Sequence, residues 1–333
     1  IGSDHRDILV GMTEFFDVLP DLIWHEDEPI SWPSSVSLYF VSRLASEHVK
    51  VVLTGEGADE LFGGYERYRH FVFNQRIMPA YRILPRGIRN RLQQAIAETN
   101  LLSAGIRRKL QHTLFSRGEH TESLLLDNFY CAFSRAEAAS LLRSRNNANP
   151  YDSFLTYWEE QRPVLDRMLY ADQKTYLVEL LMKQDQMSMA NSIESRVPFL
   201  DHTYVEFAAA VPDRLKIRGF EQKYILKRAV ENLLPREIVY RRKMGFPTPL
   251  RDWFRQARAQ PLLEMLLHSD GLVGEHLQPQ ALRSLIERHR AGREDATDRI
   301  WRLLNLEIWG RVFLQGGRST KEGFLSTKAA PPI

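Results

Sequence analysis

The feature that most constrains the fold is the stretch VVLTGEGADELFGGY, which covers residues 51–65. An apolar run typical of a β-strand leads into a turn that contains four glycines, and Glu56, Asp59 and Glu60 lie among them. Open α/β sheets bind their ligands beyond the carboxyl ends of parallel strands, in turns of this kind. The stretch therefore predicts a strand followed by a turn that is well placed to bind a ligand.

The chemistry of this turn combines groups that bind anions with groups that carry negative charge. Successive backbone N–H groups bind anions, and Gly55 and Gly57 have no Cβ to keep a substrate away from the backbone. Glu56 is suited to act as a base or to hold an amine, and Asp59 can bind a divalent cation. The turn thus fits a nucleotide, Mg²⁺ and an amine together. The alternative is a plain corner in which Asp59 and Glu60 are solvated in the first turn of a helix.

Composition excludes several classes of protein. With 333 residues, of which 44% are hydrophobic and 26% charged, the chain is large enough for two globular domains. A net charge of only +3 gives no sign of a nucleic-acid partner. The single cysteine, Cys131, excludes an internal disulfide. No apolar run approaches the ~20 residues that cross a membrane, and no signal peptide is visible, so we expect a cytoplasmic protein.

The distribution of apolar residues divides the chain into four predicted regions. Residues 1–65 have the pattern of a partial α/β nucleotide-binding core, and residues 66–145 that of a helical insertion. Residues 146–315 are predicted to be mostly helical and to complete a ligand-binding cleft. Residues 316–333 are predicted to form a flexible tail. We therefore expect an α/β fold with a large helical region.

Several elements can be predicted within these regions. Strands are expected at Ile8–Val10 and Val49–Thr54, with a helix from Val36 to Glu47 between them. The second strand is continuously apolar, as is typical of a parallel strand covered by helices on both faces. The segment ESRVPFLD, residues 194–201, is predicted to be an extended loop, and residues 298–313 are predicted to form a core-packed helix.

Four motifs follow one another along the chain. The glycine turn fits neither G-x-x-x-x-G-K-[ST] nor G-x-G-x-x-G. The motifs are VVLTGEGADELFGGYERY (51–68), DQMSMANSIESRVPFLD (185–201), EQKYILKRAVENLLPREIVYRRKMGFPTP (221–249) and IWRLLNLEIW (300–309). In this order they resemble those of the asparagine synthetase family of glutamine-dependent amide ligases. The resemblance implies an incomplete parallel-sheet fold of the ATP-pyrophosphatase type. It also implies that ATP and a carboxylate form an acyl-adenylate and pyrophosphate, after which ammonia displaces AMP.

The resemblance assigns roles to four residues of the glycine turn. Thr54 and Gly55 match positions that line the nucleotide and the acyl group. Glu56 matches the carboxylate linked to acyl-adenylate formation and to handling of the amine. Asp59 matches a ligand of the Mg²⁺–pyrophosphate complex. ATP and Mg²⁺ are therefore the implied cofactors.

Two lysines outside the turn match family positions near the phosphates and the reaction centre. Cations suit that place because negative charge accumulates on the phosphate oxygens in the transition state. Lys243 lies in RRKMGFP, where Gly245 and Pro247 predict a loop, and on its own it could be a solvated basic residue. Lys223 could equally be an exposed helix residue. The resemblance favours a catalytic position for both.

The sequence departs from the family pattern in two ways. Relatives carry an S-G-G-x-D-S pyrophosphate loop on a strand before the counterpart of Ile1, and the segment LLSAGIRRK, residues 101–109, cannot replace it. The N-terminal glutaminase domain, whose first-residue cysteine releases ammonia in relatives, is also missing. Cys131 is internal and cannot take the place of that cysteine. We therefore expect the C-terminal part of a longer synthetase, with a glutaminase domain upstream and no activity as this chain alone. The alternative is a non-catalytic remnant that acts as a binding module.

The implied substrates are ATP, ammonia from glutamine, and most simply aspartate, which would become asparagine. Another carboxylate, such as a sugar acid, is the alternative acyl substrate, since this family serves several pathways. Neither a nucleic acid nor a membrane is expected as a partner. Two Arg-rich segments, RGIRNRLQQ and GIRRKLQH, have the apolar spacing of ordinary amphipathic helices.

Overall fold

The computed structural model describes residues 2–98, 110–144, 148–241, 243, 245 and 248–315. Several features named above therefore lie outside the described residues: the segment 101–109, the predicted boundary at residue 145, the loop residue Pro247 and the tail 316–333. Within the described part, helices predominate and the strands are short. This architecture confirms the predicted α/β class with a large helical region.

The α-helices vary from single turns to the 18 residues of Glu66–Ile83. In chain order they are Met12–Asp17, Leu19–Glu26, Ser34–Ser46, Ala58–Phe62, Glu66–Ile83, Arg86–Glu98, Leu114–Arg117, Asp127–Phe129, Arg135–Leu141, Asp152–Leu155, Val164–Lys174, Tyr176–Met189, His202–Ala210, Asp213–Lys216, Tyr224–Val230, Arg236–Val239, Leu250–Trp253, Gln260–Met265, Leu272–His276, Pro279–Arg290 and Thr297–Phe313. A π-helical segment covers Glu122–Leu126, and 3₁₀ turns cover Pro198–Leu200 and Ala257–Ala259.

Strand β1, Val51–Leu53, pairs in parallel with β2, Glu194–Arg196, with Val52 opposite Ser195. The prediction of an extended loop over residues 194–201 was therefore wrong at its start, because β1 supplies a hydrogen-bonding edge for three of these residues. The prediction that helices cover both faces of β1 was also wrong. Val51 is 45% exposed and Leu53 73% exposed, since β1 pairs only with β2 among the described residues.

The N-terminal segment contains no strand. Residues 8–10, predicted as a strand, form no regular element. Ile8 and Val10 instead pack against the hydrophobic core, and they pair with no strand in the part of the chain that the structure describes. The helices predicted after it are confirmed, as Ser34–Ser46 and Thr297–Phe313.

A second small sheet leads the chain toward the site. Strands β3, Ile217–Arg218, and β4, Glu221–Gln222, form an antiparallel hairpin. Gly219 in its turn has a φ of 62°, a left-handed conformation that glycine adopts without a steric penalty. Lys223 follows β4 directly, so this hairpin sets the position of that lysine.

Three hydrophobic clusters hold the helices together. The largest joins the N-terminal helices to the C-terminal ones, and Phe15 packs on Trp301 with ring centroids 5.7 Å apart. The second surrounds Tyr68, and the third contains Leu61 and Phe62 from the helix that follows the glycine turn. Burial of two such side chains contributes roughly 3–6 kcal/mol, which anchors that helix. The predicted region boundaries at residues 65 and 145 stay a prediction.

None of the helices in the described ranges combines the length and the apolar character needed to cross a bilayer.

Candidate active site

The two glycines that flank Glu56 have different structural roles. Gly57 has a φ of 89°, and a Cβ added there would overlap the side chain of Leu200. Any other residue would therefore be both strained and crowded at this position. An added Cβ on Gly55 meets no atom within 4 Å. Only Gly55 leaves open space beside the backbone, whereas the prediction of open space at Gly57 was wrong.

Thr54 ends β1 and begins the turn. Its backbone N–H donates a 2.8 Å hydrogen bond to the carbonyl oxygen of Arg196, which extends the parallel pairing by one step. Its side-chain Oγ1 is buried and has no hydrogen-bond partner among the described residues. Buried polar atoms normally have a partner, so this hydroxyl lacks a hydrogen bond that its burial would normally require.

The centre of the site is the carboxylate of Asp59, which lies between two lysines. Lys223 Nζ lies 2.9 Å from Asp59 Oδ1, and Lys243 Nζ lies 2.7 Å from Asp59 Oδ2. The lysine at position 243 is 184 residues from Asp59 in the chain. The structure thus brings together three of the predicted site residues from two separate motifs.

The absence of a side chain at Gly64 makes this arrangement possible. A Cβ added to Gly64 would overlap Oδ1 of Asp59 and the Cε atom of Lys223. The ion pair therefore lies directly against the backbone at Gly64. Glycine is required here by close approach, not by backbone conformation.

Lys223 reaches Asp59 from an unusual backbone conformation. Its φ of 52° and ψ of 35° lie in the left-handed region, which residues other than glycine seldom adopt. Such a conformation costs on the order of 1 kcal/mol and is concentrated at functional sites. The strain at the junction between β4 and the helix Tyr224–Val230 is consistent with selection for the position of the ammonium group.

The protonation state of Asp59 follows from its two partners. Partial burial by itself would raise the pKa of the carboxyl group, but the charges of Lys223 and Lys243 outweigh it and lower the pKa. Asp59 is therefore ionised at neutral pH. Lys243 also lies over the ring of Tyr65, 4.2 Å from its centroid, and this cation–π contact limits where the ammonium can move.

Tyr65 connects the lysine to a buried acid. Its hydroxyl donates a 2.6 Å hydrogen bond to Glu60 Oε1. Burial raises the pKa of Glu60, although its bond with Tyr65 opposes the change, and Glu60 Oε2 has no partner. The prediction of a plain corner with a solvated Glu60 is thus wrong, because this side chain is completely buried.

Lys223 and Lys243 also line an open cleft with a volume of about 780 Å³. Further cationic and aromatic side chains surround the same space: Arg69, Lys227, Arg241, Phe129, Phe220 and Tyr240. Cationic side chains outnumber the acidic ones in the lining, where Glu66 is acidic. The cleft therefore suits an anionic ligand that is larger than a single phosphate.

Glu56 does not join this group. Its carboxylate makes no hydrogen bond or ion pair with any residue in the described ranges, and its charge acts on Lys183. Lys183 lies on the helix Tyr176–Met189, next to Leu180 and Met187 on the buried side. Sequence reasoning missed it, although a lysine in register with core residues is itself a signal.

A metal-binding cluster is not formed by the side chains in place. Among the described residues, no group of three or more His, Cys, Asp or Glu side chains could hold a metal ion. Asp59 supplies one carboxylate, next to the two lysines that line the cleft. Mg²⁺ commonly binds through one or two carboxylates together with substrate phosphates, so Asp59 fits that role only as a single protein ligand.

The comparison with protein families decides where this chain belongs. A family model described as Asparagine synthase matches residues 1–311. This chain belongs to the asparagine synthase family. Enzymes of the asparagine synthase family use ATP. The resemblance inferred from the four motifs is confirmed.

Individual relatives within and around the asparagine synthase family give the extent of the match. Asparagine synthetase [glutamine-hydrolyzing] 1 of Bacillus subtilis is 32% identical over 320 residues, which covers 95% of this chain and 49% of that protein. A putative glutamine-hydrolysing asparagine synthetase of Mycobacterium bovis is 35% identical, with 95% and 47% covered. Amidase chyE of Penicillium rubens is 25% identical, with 70% and 37% covered. The chain spans about half the length of the curated relatives it matches.

Proposed function

We propose that this chain is the synthetase part of an ATP-dependent carbon–nitrogen ligase that converts aspartate to asparagine. The observation that carries the proposal is the meeting of Asp59, Lys223 and Lys243 beside a cationic cleft. In the proposed reaction the aspartate side-chain carboxylate attacks the α-phosphorus of ATP, and pyrophosphate leaves. Ammonia then attacks the acyl-adenylate, the carbon–nitrogen bond forms and AMP leaves.

The two lysines are proposed to bind the pyrophosphate. Each offers an ammonium group that can exchange its contact with Asp59 for a contact with a phosphate oxygen. This charge is already in place before the reaction, so the site needs little reorganisation as negative charge develops on the leaving group. Mg²⁺, when bound with the phosphates through Asp59, would neutralise part of the same charge.

The glycine turn is proposed to hold the acyl group. Gly55 leaves open space beside its backbone, and the free hydroxyl of Thr54 lies at the end of β1. Glu56 has no direct partner among the described residues, so its carboxylate can accept a proton from the incoming ammonia. Contact of these three residues with an adenylated acid would place the carbonyl carbon next to the base.

The complete reaction needs parts of the enzyme that this chain does not show. We propose that a glutaminase domain upstream supplies the ammonia and that an upstream pyrophosphate loop completes the nucleotide site. This chain alone is then expected to show no ATP–pyrophosphate exchange, and measurable exchange would contradict that expectation. A sugar acid in place of aspartate stays the alternative acyl substrate. The alternative function is that of a non-catalytic binding module.

Binding of phosphates to the 333-residue chain tests the proposal directly. We expect Mg²⁺–pyrophosphate to bind in isothermal titration calorimetry. Lys223→Met and Lys243→Met should each weaken the affinity by at least about tenfold, because a charge-assisted hydrogen bond contributes roughly 1.5–3 kcal/mol. Lys174→Met is the matched control, since that lysine is exposed and lies outside the cleft. Equal affinity of all four proteins would reject the phosphate site.

Product formation tests the identity of the acyl substrate. In a longer protein that joins this chain to the upstream region of the Bacillus subtilis relative, ATP, glutamine and aspartate should yield asparagine by mass spectrometry. Glu56→Ala should abolish that product and leave the unfolding transition unchanged. Retained turnover in the variant would remove Glu56 from the chemistry.

A further inference from the structure

A second cavity, the hairpin groove, lies beside the cationic cleft and has a volume of about 680 Å³. One of its walls is the helix Glu66–Ile83, from which residues at the spacing i, i+3, i+4 and i+7 line the space: Arg69, Val72, Phe73 and Arg76. Residues at this spacing lie on one face of a helix, so the wall is continuous. The hairpin formed by β3 and β4, with the short helix before it, provides the opposite wall.

Apolar side chains form much of the lining of the hairpin groove. Leu165 and Ile217 are buried in the core and line it, together with the half-buried Val72. Phe73 is 51% exposed and Phe220 is 83% exposed, and both line the same space. Exposed aromatic side chains beside a buried apolar surface mark a place that an apolar group can cover. A volume of this size with such walls is typical of small-molecule sites, which measure roughly 300–1,000 Å³.

The charged side chains of the hairpin groove are mostly cationic. Four arginines line it: Arg69, Arg76, Arg214 and Arg218. Among the described lining residues Asp213 is the acidic one, and the charge of the buried Lys216 acts on it from nearby. An excess of one sign of charge in a cavity with apolar walls attracts ligands of the opposite sign. The groove therefore favours an anion that also has an apolar part.

Two of the four arginines have partners and two have none. Arg69 pairs with a glutamate on its own helix, and Arg218 donates a hydrogen bond to a tyrosine hydroxyl. The side chains of Arg76 and Arg214 make no hydrogen bond or ion pair with any residue in the described ranges, and both are exposed. A guanidinium binds a carboxylate or a phosphate through two parallel donors. These two arginines, one from each wall, are available to an anionic group.

Arg69 and Phe220 form the boundary between the hairpin groove and the cleft, since both line the two spaces. Arg69 Nη1 donates a 3.4 Å hydrogen bond to the carbonyl oxygen of Phe220, and the Cζ atom of Arg69 lies 5.8 Å from the centroid of the Phe220 ring. This contact joins the helix Glu66–Ile83 to the hairpin. Lys223 and Lys243 line the cleft and not the groove, so the groove is a space of its own.

We propose that the hairpin groove binds a small amphipathic anion, an aliphatic chain of medium length that carries one carboxylate or phosphate group. The chain packs on Leu165, Ile217 and Phe73, and the anionic group accepts hydrogen bonds from Arg76 and Arg214. An inorganic anion would leave the apolar walls uncovered, and a neutral chain would leave the two arginines without a partner. The volume between the walls is that of a small-molecule site, which favours such a ligand over a protein segment. The groove is separate from the ligase site, so this proposal does not depend on that function.

Ligand analogues test the proposal on the unmodified 333-residue chain. Octanoate, octyl phosphate, 1-octanol, octylammonium and butyrate are titrated separately and followed by saturation-transfer NMR and calorimetry. The tighter of the two octyl anions, which identifies the head group, should bind at least about tenfold more tightly than 1-octanol or octylammonium, because these lack the negative charge. Butyrate should also bind at least about tenfold more weakly, because its chain is shorter. Equal affinity for the octyl anions, 1-octanol and butyrate would overturn the proposal.

Variants of exposed lining residues test where the octyl anion binds. Arg76→Gln, Arg214→Gln and Phe73→Ala should each weaken its affinity by about fivefold or more and leave the unfolding transition unchanged. Arg258→Gln and Ile83→Ala are the matched controls, because both residues are exposed and lie outside the groove, and Ile83 ends the same helix. Losses in the controls as large as in the groove variants would overturn the proposal.

Competition experiments separate the groove from the cleft and from other occupants. Simultaneous binding of the octyl anion and Mg²⁺–pyrophosphate would support the proposal, whereas displacement of one by the other would overturn it. A peptide of alternating glutamate and leucine that binds when no octyl anion does would assign the groove to a protein segment. A dimer in sedimentation that Phe73→Ala dissociates, without binding of any octyl anion, would assign it to a second copy of the chain. Either of the last two results would overturn the proposal.

Discussion

Two aspartates of this protein, Asp172 and Asp59, are each held by cationic side chains but are built in different ways. Asp172 is completely buried and lies among aromatic rings, whereas Asp59 is partly exposed and contacts two lysines that line an open cleft. The first is bound by an arginine and the second by two lysines. The difference separates a carboxylate that holds the fold together from one that can exchange its partners.

The Asp172 cluster has every polar contact satisfied. Arg67 donates to Asp172 Oδ2 from Nη2 at 2.8 Å and from Nε at 3.2 Å, and the hydroxyl of Tyr68 donates to the same oxygen. The hydroxyl of Tyr130 donates to Oδ1 at 2.7 Å. Arg67 also lies over the ring of Tyr176, 4.2 Å from its centroid. A planar guanidinium suits such a fixed, fully bonded arrangement.

The Asp59 cluster is open by comparison. Its carboxylate is 17% exposed and the side chain of Lys243 is 49% exposed. Lysine is a compact charge on a flexible stem, so it can leave one anion for another at small cost. The number and geometry of the bonds around a carboxylate, more than the presence of a cation, therefore distinguish a carboxylate that stabilises the fold from one that can bind a ligand. The following predictions test that distinction.

The largest effect is expected when the closed cluster is broken. Asp172→Ala leaves the Arg67 guanidinium buried without its partner, which should lower the free energy of unfolding by about 3–5 kcal/mol. Urea unfolding followed by circular dichroism measures the change. A loss below about 1 kcal/mol would mean that the cluster is not a structural centre and would remove the basis of the comparison.

A smaller, pH-dependent effect is expected at Glu26, a carboxyl that is only partly buried and lacks the hydrogen bonds of Asp172. Its pKa is raised from 4.5 to about 7, so the folded state holds a proton that the unfolded state releases between these values. Stability from this group is present below pH 4.5 and is lost as the pH rises toward 7. The free energy of unfolding should fall by roughly 2 kcal/mol, which is less than the full pKa shift would give because Glu26 is partly exposed.

Glu26→Gln removes that titration. The stability of the variant relative to the unmodified chain should therefore increase between about pH 5 and pH 7.5, in urea unfolding at matched ionic strength. The charges of Glu179 and Glu28 also raise the pKa of Glu26, and the charge of Lys183 lowers it. Variants of these residues should therefore shift the titration in opposite directions and serve as controls. Parallel pH profiles of the variant and the unmodified chain would contradict the prediction.

A change that separates Asp59 from Lys223 should affect binding more than stability. Gly64→Ala places a Cβ where Asp59 and Lys223 now meet. Because these flexible side chains can shift aside, the free energy of unfolding should fall by only about 1 kcal/mol. Mg²⁺–pyrophosphate affinity should fall by about tenfold because the lysine is displaced. Gly87→Ala is the control, since a Cβ there meets no atom within 4 Å and this residue lies outside the cleft, and an equal loss in both variants would contradict the prediction.

The smallest effect on stability is expected at Asp59 itself. Because its pKa is lowered from 3.8 in the folded state, the contribution of Asp59 is present above that value and is lost as the pH falls further. Asp59→Asn should lower the free energy of unfolding at pH 7 by less than about 1 kcal/mol, with a smaller difference at high salt. A loss as large as that of Asp172→Ala would abolish the distinction between the two clusters.

Local features of the site could be predicted from the sequence. The glycine-rich turn was placed correctly at the end of a strand. The role of Asp59 within it stays a prediction. The helices Ser34–Ser46 and Thr297–Phe313 were predicted nearly to their ends, because their apolar residues recur with the helical period. These features depend on neighbours in the chain.

Other features could not be read from the same patterns. Residues 194–196 become a strand only because β1 lies beside them, and the pairing joins segments more than 140 residues apart. The sequence does not distinguish Lys183 from the other lysines, and only the fold brings its charge near those of Glu56 and Glu26. The apolar run of β1 predicted full burial, but burial also depends on what covers a strand, which its own residues do not determine.

The sequence by itself determined the turn, the helical periods and the family, and each of these depends on residue types at short or fixed spacing. Gly57 is an example, because its left-handed backbone follows from local sterics. Only the tertiary structure decided that Lys223 and Lys243 meet at Asp59 while Lys183 lies near Glu56. The physical reason is that charges interact through distance in space, and packing of remote segments sets that distance.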